Sequence, residues 1–163
     1  MSRSHEKEKQ PEYGVIPAED VRLLSGLELI QRIASGALPS PFIGKTLQFK
    51  LTEAERGRVV FAGEPRLDFY NPMGTVHGGY AATLLDSCMG CAVHTMLPAA
   101  TGYTTLEIKV NYVRAMSENT GLVRAEGKVL TIGKRVATAE GRLFDSENRL
   151  CAHGTTTCLI FPL

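Results

Sequence analysis

The 163-residue sequence has no dense basic run and no stretch in which basic and aromatic side chains interleave; its 18 basic and 17 acidic residues leave a formal net charge of +1. A nucleic-acid-binding face needs a concentrated basic patch, so nucleic acid is not an expected partner. No apolar run follows the charged first residues. Met1 to Glu12 mixes Arg, His, Lys and Glu, a composition that cannot serve as a secretory signal and reads as a solvated tail. An uninterrupted membrane-length segment is missing as well: the longest apolar region, Tyr80 to Pro98, is broken by Asp86 and His94 and contains Gly90. The expectation is a cytoplasmic protein without a membrane span.

Redox and metal signatures are also wanting. Cys88, Cys91, Cys151 and Cys158 occur in a chain with no export signal, so reduced thiols are expected. Cys88-Met-Gly-Cys91 has the CxxC spacing, but it falls about three turns into a predicted helix, whereas a redox pair works at a helix N-terminus. No second pair at zinc spacing accompanies it. Packing is its expected role. His5, His94 and His153 show no ligand-like spacing, so no metal and no cofactor are expected. Gly74 to Gly79 has the outer spacing of a phosphate-binding Walker loop, but Tyr80-Ala81 stands where Lys-Ser/Thr is required.

What is present is an apolar fraction of 44%, enough for one domain with a real core. A tail to residue 16 precedes a helical extension over 17–41 and a main domain over 42–163. In the extension, Val21, Leu24, Leu27, Leu29-Ile30 and Ile33 recur at helical spacing, entered by Pro17 with acidic residues and closed by Gly36 and Pro39. One helix is predicted there. From Thr46 the period changes: Leu47, Phe49 and Leu51 alternate with polar residues, and Arg58 to Ala62 follows, predicting two strands joined around Ala54-Glu-Arg-Gly57. A loop over Phe69 to Val76 leads into a helix from about His77 to Leu97, apolar on nearly every side. Such a helix is wrapped by protein on most faces.

Four strands are predicted beyond it. In the first, Leu106, Ile108, Val110 and Tyr112 share the buried face. Leu122–Leu130, Arg135–Asp145 and Leu150–Phe161 follow at hairpin spacing. The fold class is therefore α+β, an antiparallel sheet around one long central helix. One sheet face cannot cover such a helix all round, which points to a second copy of the chain.

Within this helix Asp86 is the only formally charged residue between Asp68 and Glu107. A carboxylate amid Leu84, Leu85, Cys88 and Met89 costs free energy to bury unless hydrogen bonds hold it, which marks it for chemistry. Upstream stand Asn71, Gly74 and His77-Gly78-Gly79. A helix N-terminus offers N–H groups with no internal partner, and glycine lets a carbonyl approach them.

Asn71-x-x-Gly74-x-x-His77-Gly78-Gly79, then Asp86, then the strand Thr105 to Arg114, resembles the hotdog-fold acyl-CoA thioesterases of the phenylacetate-degradation (PaaI-like) type, over about Phe42 to Phe161. The resemblance implies an acyl-CoA hydrolase, with coenzyme A entering only as part of the substrate. It also implies sheets paired in a homodimer as minimal active unit, sites at the dimer interface, and dimers joined in a homotetramer. Asp86 would be general base or nucleophile, and the Gly79 N–H the carbonyl polariser. His77 would hold the loop and helix start or orient the thioester, and Asn71 would orient the attacking water or fold the loop. Thr105, with Thr104 the alternative, would reach Asp86 from the partner's strand. Arg114 and Gly133-Lys134-Arg135 would meet the CoA arm or phosphates. Where that family often has Pro after the strand's Arg, this chain has Ala115-Met116. Two other readings stand beside it. A non-catalytic acyl-CoA-binding sensor has no need of Asp86. In an enoyl-CoA hydratase, Asp68 and His77 would lie too far apart for that family's loop pair.

Overall fold

The computed structural model describes residues 13–163. The first twelve residues of the expected tail lie outside it, and Tyr13 forms an isolated parallel bridge with Ser40. The single helix expected over Val21 to Ala34 is in fact two, α1 (Ala18–Leu23) and α2 (Gly26–Ala34). Ser25 divides them. Its backbone is extended, its hydroxyl accepts the Glu28 N–H, and the Glu28 carboxylate accepts the Ser25 N–H, a reciprocal cap that starts a new helix. A five-residue helix, α3 (Phe42–Thr46), follows, too short to show a periodic pattern.

The main body is β1 (Phe49–Glu55), β2 (Arg58–Gly63), α4 (Gly78–His94), β3 (Thr101–Tyr112), β4 (Val123–Ile132), β5 (Val136–Phe144) and β6 (Leu150–Pro162). The six strands form one sheet in the order β1-β2-β4-β5-β6-β3, every neighbouring pair antiparallel. The sheet curls around α4, which touches all six strands. Leu84, Leu85, Met89 and Val93 of α4 are fully buried against Val59, Val123, Ala137, Ala139 and Leu143. Each such large side chain contributes about 1.5–3 kcal/mol on burial. Gly127 sets how near the helix lies, since a Cβ there would stand 2.3 Å from the Cys88 carbonyl oxygen.

Topology leaves the two sheet edges in different states. At β1, α2 packs alongside, and Gln31 donates from Nε2 to the Ala54 carbonyl at 3.2 Å. The Gly26 N–H also donates to the Leu97 carbonyl at 3.0 Å, tying the extension to the segment after α4. At the other end β3 pairs only with β6. Its second row of backbone donors and acceptors is an unpaired edge, the kind that templates another strand. Among the described residues no helix is long and apolar enough to cross a membrane.

A charge network occupies the sheet away from the helix. Glu126 accepts from Arg58 at 2.9 Å, from Lys128 at 2.8 Å and from Arg124 at 3.2 Å. Partial burial opposes its ionisation, but the hydrogen bonds and charges of Lys128 and Arg58 prevail and hold its carboxyl at about 2. The depressed value makes this stability present above the ordinary value of 4.5 and lost as the pH falls from there towards about 2. Glu126→Gln should therefore be less stable than wild type at pH 7, and the gap should narrow between pH 4.5 and about 2. Urea unfolding across that range measures it.

Candidate active site

The loop before α4 is folded by Asn71. Its Oδ1 accepts the Met73 N–H at 2.9 Å and the Thr75 N–H at 3.4 Å, and its Nδ2 donates to the Thr75 hydroxyl at 3.0 Å. Gly74 takes a left-handed φ of 86°, which completes the turn without strain. Asn71 thus has the loop-folding half of its two expected roles. The loop is anchored by the His77 N–H on the Phe69 carbonyl at 2.7 Å and the Val76 N–H on the Met116 carbonyl at 3.0 Å.

His77 is the N-cap of α4, and its Nδ1 accepts the Gly79 N–H at 2.8 Å. The accepting Nδ1 places the ring proton on Nε2. This corrects the expected carbonyl polariser, because the Gly79 N–H already has a partner. The Gly78 N–H has no acceptor among the described residues. An N-cap side chain bonds the second or third N–H of its helix and leaves the first free, a rule that distinguishes the two glycines once His77 is recognised as the cap. Gly78 lines a cavity of about 410 Å³ together with Thr75, Tyr112, Arg114, Met116 and Cys151. Tyr112, expected on the buried face of its strand, is instead largely exposed beside Gly78. Its ring covers Gly78 so closely that a Cβ there would stand 3.0 Å from Tyr112 Cζ.

Further along α4, the residues that are not fully buried are Ala82, Thr83, Asp86, Ser87, Cys91 and His94, of which Cys91 packs against the core from one side. At the helical period they fall on one side of α4, and Asp86 is the exposed residue of that stripe. Asp86 is exposed in the single described chain, on the side of α4 that the sheet does not cover. The Thr105 hydroxyl donates to Asp86 Oδ1 at 3.0 Å. The donor is thus Thr105 of the same chain and not a partner's strand; Thr104 is exposed on the other face.

A β-bulge makes this contact. Thr105 pairs with Cys158 and Glu107 with Thr157, so Leu106 is an extra residue. The expected inward row of Leu106, Ile108, Val110 and Tyr112 is broken there, and Leu106 is 58% exposed. Ile108 and Val110 still pack on the core. Bulges re-aim side chains next to functional sites.

The two groups do not meet on one chain. From position 78 to position 86 the helix rises about 12 Å, and the cavity that Gly78 lines does not include Asp86. Arg114 shares the cavity of Gly78. Gly133, Lys134 and Arg135 form the β4–β5 turn, closed by the Gly133 N–H on the Val136 carbonyl at 2.8 Å. Lys134 and Arg135 line a separate cavity with Thr101 and Phe161.

The cysteines are free. Burial pushes the Cys91 thiol up to about 12 and the Cys88 thiol well above its ordinary value, so both are protonated packing groups. Among the described residues no cluster of three or more His, Cys, Asp and Glu could hold a metal.

The thioesterase superfamily model matches residues 73–152, a span that includes α4 and β3 to β5. A protein of Saccharolobus solfataricus provisionally named an esterase is 32% identical over 110 residues, covering 68% of this chain and 76% of that protein. The 1,4-dihydroxy-2-naphthoyl-CoA hydrolase of Escherichia coli is 33% identical over 55% of this chain and 64% of its own length. Among solved structures, a phenylacetic acid degradation-related protein of Ralstonia eutropha JMP134 superposes with a TM-score of 0.72 at 25% identity. It covers 80% of this chain and 98% of that one. A mutant of the phenylacetic acid degradation protein PaaI of Thermus thermophilus gives 0.65 at 28% identity, over 72% and 96%. The chain belongs to the thioesterase superfamily and has its hotdog fold.

The cap assigns His77 a role that stability can test. His77→Ala should cost about 1 kcal/mol, and His77→Asn, which restores an N-cap acceptor, should recover most of it. Thermal denaturation of the three proteins measures the order wild type, Asn, Ala.

Proposed function

We propose that the protein hydrolyses acyl-CoA thioesters to the free acid and coenzyme A, as a phenylacetate-degradation-type member of its superfamily. The smallest active unit is a homodimer formed along β3. The observation that carries this reading is the Thr105-bonded Asp86 on the uncovered stripe of α4, beside an open sheet edge. Catalysis needs a second half. The free Gly78 N–H supplies it from the partner, since the helix rise keeps the two groups of one chain apart.

In the site so formed, the thioester carbonyl lies against the Gly78 N–H at the positive end of α4. Asp86 takes a proton from water as the water oxygen bonds to the carbonyl carbon, and the carbonyl π electrons move onto oxygen. The Gly78 donor holds that oxyanion, a contribution of about 10²–10³ in rate for one fixed donor. Collapse re-forms the C=O bond and breaks the C–S bond, and the proton on Asp86 passes to the leaving CoA sulfur. Thr105 donates to the ionised carboxylate and fixes the oxygen that faces water. Arg114, in the same cavity as Gly78, suits the anionic CoA arm.

Thiol release from aryl, short-chain and medium-chain acyl-CoAs, followed with a thiol-trapping dye, tests the reading. Asp86→Asn should lower kcat about 10²–10⁴-fold, the usual contribution of a general base. Gly78→Pro should lower it about 10²–10³-fold. Proline suits the first helical position, and His77 at φ −59° and ψ 136° has the backbone a following proline requires, so the helix should persist; Gly78→Ala, which brings the same 3.0 Å Cβ contact with the Tyr112 ring but keeps the donor, is the control and should lose far less activity. Wild type that frees no thiol from any substrate, or Asp86→Asn with full activity, contradicts the assignment.

A further inference from the structure

The bulge at Leu106 has its own support, and that support lies on β6. A bulge breaks the regular ladder and leaves backbone groups in need of other partners. Here the Thr156 hydroxyl donates to the Glu107 carbonyl at 2.7 Å, one residue past the extra Leu106. Thr156 is 2% exposed and sits opposite Ile108, where strand and core call for an apolar β-branched side chain. Valine has that shape. A hydroxyl costs free energy to bury unless bonded, and this one is spent on the backbone of the bulge. With its proton committed to Glu107, Thr156 Oγ1 is the acceptor in its 4.0 Å contact with Cys158 Sγ, the residue paired with Thr105. Thr156 therefore bonds the bulge on one side and touches the partner of Thr105 on the other.

We propose that Thr156 is a positioning residue for hydrolysis: its hydroxyl pins the Leu106 bulge, and the pinned bulge keeps Thr105 aimed at Asp86. Without the pin, β3 can relax towards regular alternation, which turns Leu106 inward and Thr105 away from the carboxylate. The inference rests on Asp86 being the catalytic carboxylate.

The test uses the purified full-length chain and steady-state thiol release. Thr156→Val keeps the shape and removes the hydroxyl, and it should lower kcat by about 10–100-fold with KM nearly unchanged, the size expected for a misplaced group. Thr156→Ser keeps the hydroxyl and should restore kcat to within about threefold. In a double-mutant cycle, Thr156→Val should cost nothing further once Thr105→Val has removed the hydroxyl being aimed. Should Thr156→Val fail to fold, Thr156→Ala serves for the same comparison. Full kcat in the hydroxyl-less variant while Asp86→Asn is inactive overturns this inference and leaves the proposed function standing. Losses that multiply in the double variant, or serine no better than valine, overturn it too. An active Asp86→Asn overturns both.

Discussion

The structure depends on burying an almost wholly apolar helix. α4 has one formally charged residue, and the sheet covers it from β1 to β3 except along a stripe that includes Thr83, Asp86 and Ser87. Everything assigned to chemistry lies where that cover ends. The free N–H is at the helix start, before the first internal hydrogen bond. The carboxylate is on the stripe, and the hydroxyl that meets it comes from β3, an edge strand of the sheet. On the proposed reading, a hotdog sheet wound onto a helix leaves two half-sites per chain, separated by the rise of the helix itself.

The extension before the main domain bears on the same geometry. α2 packs on β1 and bonds to the segment after α4, so of the two sheet edges β3 is the one with no helix of the extension against it. An exposed twelve-residue edge strand is an aggregation hazard unless something occupies it. In the proposed dimer, a second copy of β3 would satisfy its backbone groups and bring a second pair of half-sites to the same seam. Stability and catalysis are then served by one contact.

Much of this was legible in the sequence. The order of strands and the span of α4 follow from periodicity, because alternation and helical spacing report directly on which face is buried, and Asp86 stands out as the one formal charge in an apolar helix. Three features were not legible, each for a nonlocal or competitive reason. The break at Ser25 depends on a cap competing with an apolar pattern that runs straight through it. The Leu106 bulge depends on Thr156, distant in sequence, and it reverses the alternation that placed Leu106 inside. The choice between Gly78 and Gly79 depends on which N–H His77 takes. Thr105 was identified by resemblance with the wrong chain attached, since nothing in a strand pattern says that β3 folds back beside its own helix.

The central claim is that Gly78 of one protomer and Asp86 of its partner act on a single thioester. Mixed dimers test it directly. Chains carrying only Asp86→Asn are co-expressed with chains carrying only Gly78→Pro, and the doubly tagged heterodimer is purified and assayed for thiol release. A shared site leaves one intact pair per heterodimer, so activity should return to about half that of wild type, although each homodimer is nearly inactive. A heterodimer as inactive as its parents would place both groups in one chain's site and contradict the account.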